Sequence, residues 1–377
     1  MLEHYIEYGQ QRLRCGYTTG TCAAAAARAG AQALLTGEFP AALTVQTPAG
    51  IAVTVKPEQC RLEPDFAQCA VRKDGGDDCD VTNGALIVVR VEKIESGIEI
   101  EGGDGVGRIT RPGLNQPVGA AAINRGPRQM IEAQLRQALE KAGQNCGLRA
   151  EIIVPDGQEL AEKTFNPRLG IEGGISILGS TGIVRPMSRQ ALIDTIRAEL
   201  SMNRAEGVTD VLMTPGNYGA DFAEHALKLD MRRAVQCANY IGEALDIAVT
   251  LGFSSVLLVG HVGKLCKLAA NVMDTHSRIA DGRREVFVTH AAILGAETAL
   301  LRALYDAATT DAALGLLADA GLQQPVMDSI AKAAGQALQH RAGRLNVQAI
   351  VFSQAAGCMA MTPGAHALLK RHVNSED

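Results

Sequence analysis

The strongest constraint on the fold is a rhythm in the second part of the chain. Apolar runs of β type at 150–154, 174–178, 210–213, 255–259 and 347–352 alternate with stretches of helical pattern at 189–203, 231–251 and 263–273. Alternation of this kind predicts a mostly parallel sheet covered by helices. Three of the strand runs lead into Gly-rich turns: GGISILGSTG at 173–182, TPGNYG at 214–219 and VGHVGK at 259–264. Ligands of open α/β sheets bind beyond the carboxyl ends of the strands, so all three turns are expected at one edge.

The first part reads differently. Thr18, Thr19 and Thr21 precede an Ala-rich stretch at 22–35 with strong helix propensity, ending at Gly37. Short β-rich runs at 42–46, 51–56, 85–91 and 97–101 follow, punctuated by Gly and Pro, and then a polar helix at 127–141. The polar linker 144–147 sets the expected boundary. Residues 1–147 are read as an α+β domain, and 148–377 as an α/β, Rossmann-like domain with a mostly parallel sheet. No internal repeat is visible, and 374–377 reads as a frayed tail.

Composition narrows the class. A hydrophobic fraction of 47% fits a packed protein, and with aromatics at 3% and no Trp its cores rest on Ala, Val, Leu and Ile. The 36 basic side chains against 41 acidic ones, a net charge of −5, argue against a nucleic-acid binder. The nine cysteines form no C-x-x-C, which is read as reduced thiols in a cytoplasmic protein. The N-terminus lacks a signal-peptide pattern, and no apolar run is long enough to predict a membrane span. The sequence is compatible with a homo-oligomer.

Familiar motifs fail. Gly260-His261-Val262-Gly263-Lys264 is too short for a P-loop, and Leu265 replaces the required hydroxyl. Gly103-Asp104-Gly105-Val106-Gly107-Arg108 has Arg where a dinucleotide fingerprint needs its third Gly. No metal-ligand spacing or nucleophile elbow is present, so no protein-held metal is expected. Glycine turns without a phosphate signature suit S-adenosylmethionine, which has no phosphates to cradle. The candidate donor contacts are Gly179, Ser180, Thr181, Gly182, Pro215, Gly216, Asn217, Tyr218, Gly219, Gly260 and Gly263. The alternative is that these glycines only permit tight turns.

In the first part, Arg14, Arg72, Arg108, Arg111, Arg125 and Arg128 stand beside Gly or Thr turns, with Lys73 next to Arg72. Cations so placed suit a polyanionic ligand, and Thr18, Thr19 and Thr21 at a helix entry suit a carboxylate. Capping and surface ion pairs are the competing reading. The acidic run 74–80 lacks calcium-loop spacing and reads as a turn that pairs with nearby cations. Asp104 and His261, each within a glycine turn, are candidate proton handlers or simply turn residues.

As whole strings, several segments resemble the CbiD family, the cobalt-precorrin-5B C1-methyltransferases. They are GYTTGTCAAAAA (16–27), VRKDGGDDCDVT (71–82), GGDGVGRITRPGL (102–114), INRGPRQMI (123–131), GGISILGSTGIVRPMS (173–188), TPGNYG (214–219) and GHVGKLCKLAANVMDTHS (260–277). Cys79 and Arg125 stand where proline is expected. The resemblance implies methyl transfer from S-adenosylmethionine to C1 of cobalt-precorrin-5B, giving cobalt-precorrin-6A in anaerobic cobalamin biosynthesis. It implies cobalt carried by the substrate alone and an anionic tetrapyrrole with several acetate and propionate groups, which agrees with the reading of Arg72, Lys73, Arg108 and Arg111, with Thr18, Thr19 and Thr21, as its binding residues. A nicotinamide oxidoreductase, a tetrapyrrole carrier and a nucleic-acid methyltransferase are the rival classes.

Overall fold

The computed structural model describes residues 2–373; the tail expected at 374–377 lies outside them. The chain divides into two compact units, Met1–Arg189 and Gln190–Asp377.

In chain order, the principal elements of the first unit are α1 (Thr19–Thr36), β1 (Glu58–Leu62), β2 (Phe66–Arg72), β3 (Leu86–Ile94), β4 (Ile98–Gly102), α2 (Arg125–Ala142) and β5 (Gly147–Ile153). The strands form one sheet in the order β1-β2-β3-β5-β4, antiparallel except for the β5–β4 pair. α1 packs between this sheet and α2. Its alanines explain how: Ala23 to Ala27 are all fully buried, and short side chains let a helix approach on every side. At Gly30 even a methyl group would sit 3.0 Å from Val91 Cγ2.

The expected boundary at 147/148 is corrected by this sheet. Gly147 does not begin a second domain, because β5 lies between β3 and β4 and hydrogen-bonds to both. The run at 174–178 likewise belongs to the first unit, as a two-residue strand Gly174–Ile175 parallel to Gly105–Val106. Ile183–Val184 then pairs with Gly16–Tyr17. The turn at 179–182 is therefore not at the edge of the second unit's sheet, where the sequence reading placed it.

The second unit continues with α3 (Arg189–Ala205), β6 (Asp210–Thr214), β7 (Val235–Gln236), α4 (Ile241–Thr250), β8 (Ser255–His261), α5 (Val262–Leu265), α6 (Arg283–Ile293), α7 (Thr298–Asp306), α8 (Thr310–Asp319), α9 (Gln323–Ala342), β9 (Asn346–Ser353) and β10 (Gly357–Met361). Its sheet has the order β7-β6-β8-β9-β10, parallel except for the β9–β10 edge pair. Alternate residues feed two cores. Val211, Met213, Val256, Leu258, Val347 and Ala349 face one, with α3, α4 and α9. Leu212, Leu257, Val259, Ile350 and Phe352 face the other, with Ala223, Leu229 and Leu368. Burial on both faces is what made 255–259 read as an unbroken apolar run.

Two helical expectations need correction. Residues 231–240 are not helical: Val235–Gln236 is an edge strand on β6, and Ala238 has φ +51°. The expected helix at 263–273 is instead the short α5 and a 3-10 stretch, Cys266–Ala270, ended by Asn271 at φ +60°. The sequence reading also assigned nothing to 283–342, which holds α6 to α9. Among the described residues no helix is long and apolar enough to cross a membrane.

Candidate functional site

In the second unit the chain leaves β6 toward β7 on one side, then returns to place β8 and β9 on the other. The strand order thus reverses between β6 and β8, and the crevice beyond their carboxyl ends is where such sheets bind ligands. The segments entering it are Pro215 to Gly219 and Gly260 to Lys264. They touch closely: a Cβ at Gly260 would lie 2.8 Å from Pro215 Cγ, and one at Gly219 would lie 2.7 Å from the Val259 carbonyl. Those two glycines are required by packing. Gly216, at φ +121°, is different, since the one atom within 4 Å of a Cβ there is Lys264 Nζ, at 3.6 Å. Asn217 Oδ1 accepts from Gln236 Nε2 at 3.3 Å, while the Tyr218 ring is largely exposed.

His261 caps α5. Its Nδ1 accepts from the Gly263 N–H at 3.1 Å, and its ring stands edge-on to Phe352 with centroids 5.5 Å apart. With Nδ1 so engaged, the neutral imidazole carries its hydrogen on Nε2 and offers a donor there. Burial pushes its pKa down, against a smaller opposing effect of Asp311. The depressed value means that the native state favours the neutral, capping form. This contribution is complete above the ordinary imidazole pKa of about 6.5 and is lost as pH falls through the lowered native value. His261→Ala is expected to lose about 1 kcal/mol, as other cap deletions do. His261→Asn, which restores an acceptor, should recover most of it and flatten the pH dependence below neutrality. Equal loss in both variants by chemical denaturation would show that the cap is not the source.

In the first unit, the threonines are already committed. Thr18 Oγ1 caps α1 at 3.3 Å from the Thr21 N–H. Thr19 Oγ1 accepts from the Leu178 N–H at 2.8 Å, and Thr21 Oγ1 donates to the Gly182 carbonyl at 2.7 Å. They fasten the 178–182 loop to the helix entry. A Cβ at Gly179 would lie 2.2 Å from Thr18 Oγ1, so this glycine is a packing requirement. Thr181 Oγ1 turns back to the Ile183 carbonyl at 3.1 Å; Ser180 is exposed.

The cations divide similarly. Lys73 is 3% exposed and bonds Asp80 at 2.5 Å, so burial removes it from the surface that the sequence reading gave it. Arg72 is exposed and pairs with Glu58 at 2.9 Å; Arg108 pairs with Glu101 at 3.0 Å and donates to the Gly102 carbonyl at 2.8 Å. Arg111 reaches the Arg168 carbonyl at 3.4 Å. The acidic run does pair with cations, Asp74 with Arg14 at 2.7 Å and Asp80 with Lys73. Asp104 is exposed, and its carboxylate makes no hydrogen bond among the described residues. It belongs to the first unit and His261 to the second.

Comparison with known proteins decides the family. The CbiD model matches residues 6–186, and the model of the CbiD C-terminal domain matches 274–363. A protein of Ruminiclostridium cellulolyticum named cobalt-precorrin-5B C(1)-methyltransferase is 45% identical over 93% of this chain and 92% of its own. The chain belongs to the CbiD family. A relative of the same name from Alkaliphilus metalliredigens is 40% identical over 98% of this chain and 97% of its own. A crystal structure described as the cobalamin biosynthesis protein (cbiD) of Archaeoglobus fulgidus is 32% identical, covers 74% of this chain and 87% of its own, and superposes with a TM-score of 0.40. The first CbiD match runs over nearly the same residues as the first compact unit, well past the boundary expected from sequence.

Two residues of this CbiD chain gain importance from the geometry. Lys264 Nζ donates to the Pro215 carbonyl at 2.5 Å and so joins the two crevice loops. In the sequence it stands in a failed P-loop and in the string 260–277, with no role of its own. Arg125, noted beside its glycine but not assigned a role, opens α2. Gly126 there packs 3.2 Å from Ser180 Cα by its would-be Cβ. Of the six arginines noted beside Gly or Thr turns, Arg125 is the one whose side chain has neither a hydrogen bond nor an ion pair among the described residues. Its place beside the 178–182 loop was not readable before the two helix entries were seen to converge.

Proposed function

We propose that this chain transfers a methyl group from S-adenosylmethionine to C1 of cobalt-precorrin-5B, giving cobalt-precorrin-6A in the anaerobic route to cobalamin. The observation that carries this reading is 45% identity over 93% of the chain to a relative named for that methyl transfer. The chemistry of the second unit supports it. We read that unit as a Rossmann-like donor-binding domain, with Pro215 to Gly219, Gly260 and Gly263 at the reversal of strand order. The residues fit such a donor: a Gly216 whose would-be Cβ meets an ammonium and no backbone within 4 Å, and a fully buried Thr214 hydroxyl with no hydrogen-bond partner among the described residues.

Bound there, the donor supplies a sulfonium methyl that is already activated. The protein's own work is then alignment and exclusion of water, and no activated nucleophile is needed. The first unit receives the anionic tetrapyrrole through the exposed Arg72, Arg108 and Arg125 and the partly exposed Arg111, with cobalt arriving as part of that substrate. Of the two proton-handling candidates, Asp104 has the free carboxylate that a proton acceptor needs, whereas His261 has its Nδ1 lone pair occupied.

Anaerobic incubation of the purified protein with cobalt-precorrin-5B and S-adenosylmethionine, followed by mass spectrometry, tests the reading. A product heavier by one methyl group, placed at C1 and formed only with donor present, is the expected result. Bound but unmodified corrinoid, with no demethylated donor formed, would overturn it in favour of a tetrapyrrole carrier.

A further inference from the structure

Lys264 is a half-buried cation with no anionic partner among the described residues. Its ammonium can donate three hydrogen bonds, yet its bond among the described residues is the one to the Pro215 carbonyl. No carboxylate is among the groups that act on it, and burial lowers its pKa. The Cys237 thiol also acts on it, but burial pushes that thiol up to about 12, so it is neutral at physiological pH and supplies no counter-charge. Charges removed from water are ordinarily paired, and one that is not marks a place where an anion is received.

The surroundings define that place. Lys264 stands at the reversal of strand order, its ammonium 3.6 Å from where a Cβ of Gly216 would lie, with a Thr214 hydroxyl that has no partner among the described residues at the end of the adjoining strand. No phosphate signature accompanies these loops, so a carboxylate is the fitting anion. We propose that Lys264 binds the carboxylate of the methyl donor's amino-acid end, while its bond to Pro215 holds the two crevice loops together. The assignment rests on the donor-binding reading of the second unit.

The test compares S-adenosylmethionine with its decarboxylated analogue, which differs in the carboxylate alone, by calorimetric titration of the full chain without corrinoid. The wild type is expected to prefer the carboxylated donor by about tenfold or more, as a charge-assisted hydrogen bond would give. Lys264→Met should bind both ligands alike, at the affinity of the decarboxylated one, and Lys264→Arg should keep most of the preference. A wild-type preference near unity overturns the assignment without any variant. So does a preference that persists in Lys264→Met with its fold intact by circular dichroism. Wild-type protein that binds neither ligand overturns the donor-binding reading, and this assignment with it.

Discussion

Gly105→Ala is expected to destabilise the first unit by about 2–5 kcal/mol, combining left-handed strain with overpacking against backbone. Gly105 has φ +73°, and a Cβ there would lie 1.9 Å from the Val154 carbonyl oxygen. Its own carbonyl oxygen is equally hemmed in: a Cβ at Gly157 would come within 2.0 Å of it, and one at Gly174 within 2.1 Å. Three chain segments therefore cross backbone to backbone at this point, and no side chain can move aside to make room. Gly97→Ala is the control, because Gly97 has a similar φ of +81° but nothing within 4 Å of a Cβ. Only the strain, about 1–2 kcal/mol, should be lost there. Urea denaturation of both variants separates the two effects, and equal losses would refute the crossing. A loss near the upper figure would consume much of a typical domain's total stability.

The same crossing shows where sequence reasoning stops. The pattern at 103–108 could be rejected as a dinucleotide fingerprint because Arg108 stands in place of its third glycine. What its glycines do instead depends on Val154, Gly157 and Gly174, distant in the sequence, so the packing reading could not be chosen over a ligand reading. The strand at 255–259 was legible because burial on both faces leaves a continuous apolar signature. The edge strand Val235–Gln236 was not, since a strand of two residues is too short to show a period of its own. At the helix entry the hydroxyls of Thr18, Thr19 and Thr21 were visible as donors and acceptors. Sequence says nothing of whether such groups meet a ligand or the backbone, and here the Thr18 hydroxyl caps the helix while the 178–182 loop takes those of Thr19 and Thr21. Lys264 gained meaning only when the parallel pairing of β6 with β8 brought Pro215 to it.

Lys73→Met is the second substitution with a large expected effect, about 3–5 kcal/mol, the range for removing one partner of a buried ion pair. Lys73 is 3% exposed, and its ammonium bonds Asp80 Oδ2 at 2.5 Å; the other oxygen accepts from the Thr82 N–H at 2.8 Å and hydroxyl at 2.6 Å. Burial alone would raise the Asp80 pKa, but the charge and hydrogen bond of Lys73, with the Thr82 bonds, hold it below the usual carboxylate value. A lowered native pKa contributes stability above the unfolded value of about 3.9, and that stability is lost as pH falls through the native value. In the variant the Lys73 support is gone, so the carboxylate is protonated more readily. The difference between wild type and variant should therefore be full above about pH 4 and shrink as pH falls below it, and a difference independent of pH would count against the ion pair as its source. The sequence reading placed Lys73 at the tetrapyrrole, and the same variant tests that role too. A stable Lys73→Met protein with weakened corrinoid binding would return the residue to the substrate site; an unstable one identifies it as the anchor of the 74–80 turn.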